Sequence, residues 1–323
     1  MEVFAGHRAL TRPLRAPAIA IGNFDGVHRG HAALIARARA AADATGGEAV
    51  VLTFEPHPAQ VLVPQLAPPR LTTPARKLEL LAAAGVDVAI VEPFSPALAA
   101  MTAPAFVAEL LCGALAARTV VVGEDFAYGR GRTGTTTTLV TDAARHGATV
   151  DVVAPVTVDG EVVSSTRIRG YLRGGDLARA HTLLGRRFDV DGAVVRGAGR
   201  GKGLGIPTAN VAPDGDLFVA PGIYACTLRV LDDRGGGDGA GETWPAVASL
   251  GTNPTFVERG PISFEVHVLD VDRDLYDRRV RVELVARLRD EARYDTVEAL
   301  LAQIAVDIAD ARAIFAADVG RTG

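Results

Sequence analysis

The sequence predicts a doubly wound α/β domain followed by a small antiparallel β-barrel with a C-terminal helix. Three observations carry this. Over the first half, apolar strand-like runs alternate with helix-like segments, the pattern of a parallel sheet covered on both faces. From about Arg186 short β-like runs between Gly- and Asp-rich turns replace that alternation. At 323 residues the chain exceeds a typical single domain, so two cores are expected, over 1–185 and 186–323.

The elements follow in order. "AIAIGNF" reads as the first strand and 30–44 as the first helix. Then come "AVVLTFEP", a helix over 74–84, "VDVAIVEPF", a helix over 103–116, "ARTVVVG", a helix near 139–146 and "TVDVVAPV". Gly46 with Gly47, Gly85 and Gly147 stand where helix C-caps belong. A helical stretch, "STRIRGYLRGGDLARAHTLLG", leads out of this domain. The barrel strands are "RFDVDGAVV", "GIYACTLRVL", "TWPAVASLG", "ISFEVHVLD" and "RRVRVELVARL", and "DDRGGGDGAGE" at 232–242 reads as a flexible hairpin tip. "DTVEALLAQIAVDIADARAIFA" closes the chain as a helix, with Asp295 and Glu298 spaced as a capping box. Its apolar stripe, Val297, Leu300, Leu301, Ile304, Ile308, Ala311 and Phe315, reads as core packing.

Composition narrows the function. Net charge is −4, with 34 basic and 38 acidic residues and no basic block in either half, which disfavours a nucleic-acid partner. No apolar run reaches the roughly 18 residues of a membrane span, and the N-terminus lacks an apolar signal core. Two distant cysteines, Cys112 and Cys226, fit a reducing cytoplasm. Lysine occurs only at Lys77 and Lys202, which reads as coding bias towards arginine. The sequence leaves the oligomeric state open, a homo-oligomer included.

"GNFDGVHRGH", 22–31, places two histidines where a strand stops and a helix begins. His28 and His31 then share one face of the first turn, beside unpaired backbone N–H groups and the positive dipole end, an arrangement that suits phosphate. Gly22, Gly26 and Gly30 leave the backbone open to a nucleotide. Zinc is the alternative, although HxxxH with an adjacent Glu is the more usual spacing and no third ligand is evident. The segment resembles the HxGH signature of the nucleotidyltransferase superfamily, in which both histidines bind ATP phosphates at the transition state.

Further segments, "TFEPHP" at 53–58, "VVGEDFAYGRGRTG" at 121–134 and "SSTRIR" at 164–169, follow in the order seen in the bacterial bifunctional riboflavin kinase/FMN adenylyltransferases, or FAD synthetases. The resemblance implies that Ser165, Thr166 and Arg169 serve the ATP triphosphate, with Gly22 and Asp25 also at the nucleotide. Taken alone, "SSTRIR" reads as a helix cap followed by solvated arginines. The resemblance places Asp125 near nucleotide and flavin. Pro56, His57, Pro58, Phe106 and Tyr128 could line a flavin slot by ring stacking, or equally be ordinary packing. Gly129, Gly131 and Gly134 spell GxGxxG, but without a helix expected directly after them a dinucleotide fingerprint is rejected.

In the second half "GAVVRGAGRGKGLGIPTANV", 192–211, is dense in glycine beyond the needs of a surface turn, which suggests amides closing over phosphates. A Walker A reading fails, since a spacer is missing and Gly203 stands at the Ser/Thr position. The segment resembles the flavokinase signature, which assigns Gly197, Gly199, Gly201, Lys202, Gly203 and Gly205 to ATP and Thr208 and Asn210 to Mg²⁺-ATP. A hydroxyl and an amide oxygen are hard ligands that suit Mg²⁺. "PGIYA", "SLGTNPTF" and "FEVHVLD" also match family segments, and the resemblance makes Glu265 the base for the ribityl hydroxyl. On a strand, its neighbours Phe264 and Val266 face the other way. Relatives often carry Gly at the position of Asp277, which puts the local turn in question.

The resemblance spans essentially the whole chain. It implies a nucleotidyltransferase-type domain and a riboflavin kinase-like barrel that convert riboflavin to FMN and FMN to FAD, with ATP and Mg²⁺. An enzyme keeping one activity, another nucleotidyltransferase, and a non-catalytic flavin- or RNA-binding protein remain as alternatives.

Overall fold

A computed structural model describes residues 1–197, 205–231, 241–252, 262–271 and 273–319. The chain divides into two compact units, Met1–Ser165 and Thr166–Gly323.

The first unit holds a six-stranded parallel sheet in the order Glu2–Phe4, Val88–Pro93, Ala49–Glu55, Ala18–Ile21, Thr119–Gly123, Thr149–Val153. Strand alternation sorts its residues by size. Ile19, Ile21, Val50, Leu52, Ile90 and Val120 meet Phe106, Leu110, Leu111 and Leu139 on one face. Ala18, Ala20, Ala49 and Val51 meet Ile35, Ala38, Ala42 and Leu81 on the other. Small residues on that second face let the helix Arg29–Thr45 approach the sheet closely. Each fully buried Leu, Ile or Phe contributes roughly 1.5–3 kcal/mol.

Several expectations need revision. Glu2–Phe4 forms an edge strand parallel to Val88–Pro93, too short to announce itself by alternation. The helix expected over 103–116 is one short turn, Ala103–Ala105, followed by a wide π-type helix, Phe106–Ala114. The helix expected near 139–146 begins at Thr136, because the Thr135 hydroxyl accepts the Thr138 N–H as a cap. A helix therefore does follow the GxGxxG run. The motif is still no cofactor loop, since a Cβ on Gly134 would lie 2.6 Å from the Tyr128 ring and one on Gly129 2.6 Å from the Ala103 nitrogen.

The second unit is a closed antiparallel barrel in the order Phe188–Val195, Ala209–Pro213, Ile262–Val268, Thr243–Thr252, Gly222–Val230, Arg279–Arg289. Ala209–Pro213 carries no strand signature of its own, because it lies inside the glycine-rich motif. Tyr224, Cys226, Leu228, Leu250, Phe264, Val266, Val282 and Leu284 are all buried at 2% exposure or less. The helices Ser165–Gly174 and Leu177–Leu184 belong to this unit by packing. The Ala220 N–H donates to the Leu172 carbonyl at 2.9 Å, and a Cβ on Gly175 would sit 2.9 Å from Arg287 Cδ. By packing the second unit begins at Thr166, since these amphipathic helices bury their apolar stripe on the barrel.

The closing helix runs Val297–Val319. Its cap is Thr296, whose Oγ1 accepts the Ala299 N–H at 3.2 Å, rather than Asp295. Val297 is half exposed and leaves the apolar stripe, whereas Ala311 is fully buried. Asp307 anchors the helix by a two-pronged pair with Arg289, 2.8 and 2.7 Å. Cys112 and Cys226 are both free. Among the described residues no helix is long and apolar enough to cross a membrane.

Candidate functional site

At the carboxyl ends of Ala18–Ile21 and Ala49–Glu55 the turn 22–28 is strained. Phe24, Gly26 and Val27 have φ of +50°, +87° and +37°, a left-handed course that a β-branched residue rarely takes. The surroundings hold it there. Asp25 is buried, and its carboxylate accepts the Leu71 N–H at 3.0 Å and the Thr72 N–H at 3.1 Å. The Gly26 N–H donates to Thr72 Oγ1 at 3.1 Å. A Cβ on Gly26 would meet Leu71 Cδ1 at 2.8 Å, so this glycine is needed for internal packing rather than for ligand approach. Asp25 acts here as an anchor for 71–72, a role its position in the motif did not reveal.

The turn delivers His28 as N-cap of the helix Arg29–Thr45. Its Nδ1 accepts the His31 N–H at 3.3 Å, and the His31 Nδ1 accepts the His28 N–H at 3.3 Å. A neutral imidazole that accepts at Nδ1 carries its hydrogen on Nε2. Both rings are thereby set as Nε2–H donors. Burial, with His28 and the Lys77 cation adding to it, holds the His31 imidazole well below its usual protonation range. Gly30 lies against the His28 ring, where a Cβ would come within 3.2 Å. No group of three or more His, Cys, Asp or Glu among the described residues is placed to hold a metal, so zinc at the histidine pair gains no support.

Other predicted residues are distributed unevenly. Ser165 Oγ donates to the Asp25 carbonyl at 3.0 Å and so braces the turn. Thr166 is exposed and Arg169 buried on the helix Ser165–Gly174. His57 caps Pro58–Leu62 by accepting the Ala59 N–H at 3.2 Å, and the Asn23 carboxamide lies 3.3 Å from its Nε2. Pro56 is exposed, following a cis Glu55–Pro56 bond, Pro58 is half-buried and Asp125 is exposed. Phe106 and Tyr128, expected as slot lining, are instead 5% exposed members of the core. Their rings pack at 5.4 Å, and Phe126 stacks on Tyr128 at 5.5 Å as the more open ring.

Lys77 lies in none of the sequence motifs. Its side chain is 8% exposed, and Nζ donates to the Asn23 carbonyl (3.4 Å), Thr53 Oγ1 (3.4 Å) and the Glu55 carboxylate (3.5 Å). Scarcity was the available signal, since a chain with 32 arginines keeps a lysine here.

The second constellation lies on the outer face of the barrel. Phe264 and Val266 point inward, and Glu265 is half-buried outside, across the ladder from Asn210. Thr208 Oγ1 donates to Glu265 Oε2 at 3.3 Å. His267, two residues along the same face, donates from Nδ1 to the Pro207 carbonyl at 2.8 Å and fastens the segment that carries Thr208. The Asn210 carboxamide rests on Gly197, where a Cβ would lie 2.1 Å from its nitrogen. Gly205 is left-handed, φ +76°. Gly199, Gly201, Lys202 and Gly203 lie outside the described residues, as does most of 232–242. Asp277 takes φ +60°, so the aspartate adopts the left-handed turn instead of replacing it, and its N–H donates to the Val194 carbonyl at 2.9 Å.

A family model described as FAD synthetase matches residues 11–167, and one described as riboflavin kinase matches 184–315. The chain is 37% identical over 321 residues, 99% of its length and 100% of the relative's, to a bifunctional riboflavin kinase/FMN adenylyltransferase of Pseudomonas fluorescens. It is 37% identical to that of Escherichia coli strain K12 over 98% of both chains, and 33% identical to that of Bacillus subtilis over 92% of both. A crystal structure from Streptococcus pneumoniae, titled a macrolide-efflux protein, superposes with a TM-score of 0.82 at 29% identity, covering 96% of this chain and 98% of its own.

Proposed function

The chain belongs to the family of bifunctional riboflavin kinase/FMN adenylyltransferases, and from that premise we propose how its residues divide the two reactions. The enzyme phosphorylates riboflavin with ATP to FMN, then adenylylates FMN with ATP to FAD and pyrophosphate.

We assign the second step to the histidine turn. The FMN phosphate attacks the ATP α-phosphorus in line, with no covalent enzyme intermediate. The two Nε2–H groups, already oriented by their caps, donate to phosphate oxygens as charge moves onto them. The positive end of the helix dipole adds to the same field. Gly22, Ser165, Thr166 and Arg169 are the further triphosphate contacts of this reading, while Asp25 acts by holding the turn. Pro56, His57, Pro58 and Asp125 are its flavin contacts.

The first step belongs to the barrel face. Glu265 takes the proton of the ribityl 5'-hydroxyl, and the loop from Gly197 to Gly205 positions the γ-phosphoryl; positioning and electrostatics supply most of the rate. The Thr208 hydroxyl and the Asn210 amide oxygen beside Glu265 form a hard-oxygen set that fits Mg²⁺. When bound, the ion neutralises charge on the phosphates. Free cysteines and balanced charge support a cytoplasmic enzyme without nucleic-acid or membrane partners.

The reciprocal capping of His28 and His31 carries this division, because it leaves both outer nitrogens as donors at one helix start. Chromatography of products from purified chain, riboflavin, ATP and Mg²⁺ tests it. The native chain forms FMN and FAD, and His28→Ala or His31→Ala forms FMN alone; equal loss of both products would refute two separate sites.

A further inference from the structure

The buried ammonium of Lys77 has no part in the reactions as assigned above. Among basic residues of this unit it is unusual, since its charge sits out of water against neutral and anionic oxygens. A buried cation persists only where its N–H groups are matched. Here three donors meet three acceptors: the Asn23 carbonyl, the Thr53 hydroxyl and the Glu55 carboxylate. Thr53 also donates to the Asn23 carbonyl at 3.1 Å, which closes a triangle across the ends of two adjacent strands. A compact ammonium fits that triangle, and a planar guanidinium fork does not follow its directions.

Asn23 opens the strained turn whose other end is His28. The helix Pro74–Ala83 therefore reaches the histidine pair through Lys77 in two ways, by a hydrogen bond to the turn and by a field. We propose that Lys77 is a positioning residue for adenylyl transfer, pinning the histidine turn through the Asn23 carbonyl and the Thr53 hydroxyl. This rests on the assignment of adenylyl transfer to His28 and His31. Charges act on both groups: His28 and Lys77 act on His31, while Glu55 and Asp25 favour the Lys77 charge and Arg70 opposes it. Arg70 is itself held by Glu55 at 2.6 Å. Burial depresses Lys77 from its usual value, and these carboxylates work against that.

The test is the pH profile of FAD formation from FMN and ATP in the full chain, with riboflavin phosphorylation measured alongside. In Lys77→Met FAD formation falls and its acid limb moves to higher pH, because the turn loses its pin and His31 loses a repelling neighbour. Lys77→Arg leaves that limb in place even where the lower packing quality reduces the rate. Riboflavin phosphorylation is unchanged in both. A uniform fall in FAD formation with superimposable profiles would reduce Lys77 to scaffold and overturn the proposal. Should Lys77→Met lose both activities by misfolding, Thr53→Val, which removes the hydroxyl shared by Lys77 and Asn23, decides, with FAD formation at native rate overturning the proposal. The parent assignment fails on a different result, namely FAD formation at native rate by His31→Asn.

Discussion

The rings of His28 and His31 stack with centroids 3.6 Å apart and 13° between their planes, each capping the backbone nitrogen of the other. One atom of each ring caps the helix start, and the proposed chemistry uses another, so the two duties can be separated. Asparagine places an oxygen near the Nδ1 position and caps helices well, but has nothing at Nε2. His28→Asn is expected to retain thermal stability while FAD formation falls about a hundredfold or more, on the order of 3 kcal/mol in the barrier. Glutamine offers the outer donor without the cap. His28→Gln is expected to lose about 1 kcal/mol of stability yet keep more FAD formation than His28→Asn. Denaturant midpoints with initial rates on FMN check both.

Glu265→Gln removes the proposed base but keeps the shape. Riboflavin phosphorylation is expected to fall about a hundredfold or more, with FAD formation from supplied FMN intact. His267→Phe, which frees the Pro207 carbonyl, is expected to raise KM for Mg²⁺-ATP more than KM for riboflavin.

Gly197→Ala places a methyl 2.1 Å from the Asn210 amide and must displace that side chain. The expected result is a higher Mg²⁺ requirement in the kinase assay, with no change in the adenylyl step. A Mg²⁺ titration of both activities reads this directly.

Asp277 holds φ +60° at a cost that glycine avoids. Asp277→Gly is expected to raise stability by up to about 1 kcal/mol, measured from urea midpoints at constant slope.

His181 gives the barrel unit an acid sensitivity. Its Nε2 is buried without a hydrogen-bond partner among the described residues, and burial, with Arg187 and Arg186 adding, lowers its pKa to about 4. The unfolded chain binds this proton near pH 6.5 and the folded chain only near 4. Stability is therefore complete above 6.5 and drains away between 6.5 and 4, by up to about 3 kcal/mol. His181→Leu is expected to flatten the Tm-against-pH curve across that window while leaving its alkaline side unchanged.

Local pattern made part of this molecule legible. His28 and His31 stand out because a strand, a turn and a helix start each leave a signature within ten residues of "GNFDGVHRGH". The clamp on that turn does not, since Asp25 holds Leu71 and Thr72 across 46 and 47 positions and neither segment hints at the other. Phe106 and Tyr128 show the converse limit. Composition marks an aromatic as valuable, but whether its ring faces a ligand or the core depends on the helix packed over it. Lys77 was visible only as a rarity, and Ala209–Pro213 was hidden because glycine density drew attention to ligand binding and away from sheet pairing. The helices after Ser165 pack with the barrel, a partner that their own amphipathic pattern does not identify.

The seam of that barrel lies between Phe188–Val195 and Arg279–Arg289, so its first strand, paired early with Ala209–Pro213, gains its second neighbour only near the end of the chain. During synthesis the ribosome must extrude Arg289 before the sheet can shut, and until then two unpaired edges are offered to any other nascent copy. Release of a polypeptide stopped short of Arg279 should accordingly yield aggregates rather than a weakened kinase, and slow elongation over the last stretch would favour chaperone capture.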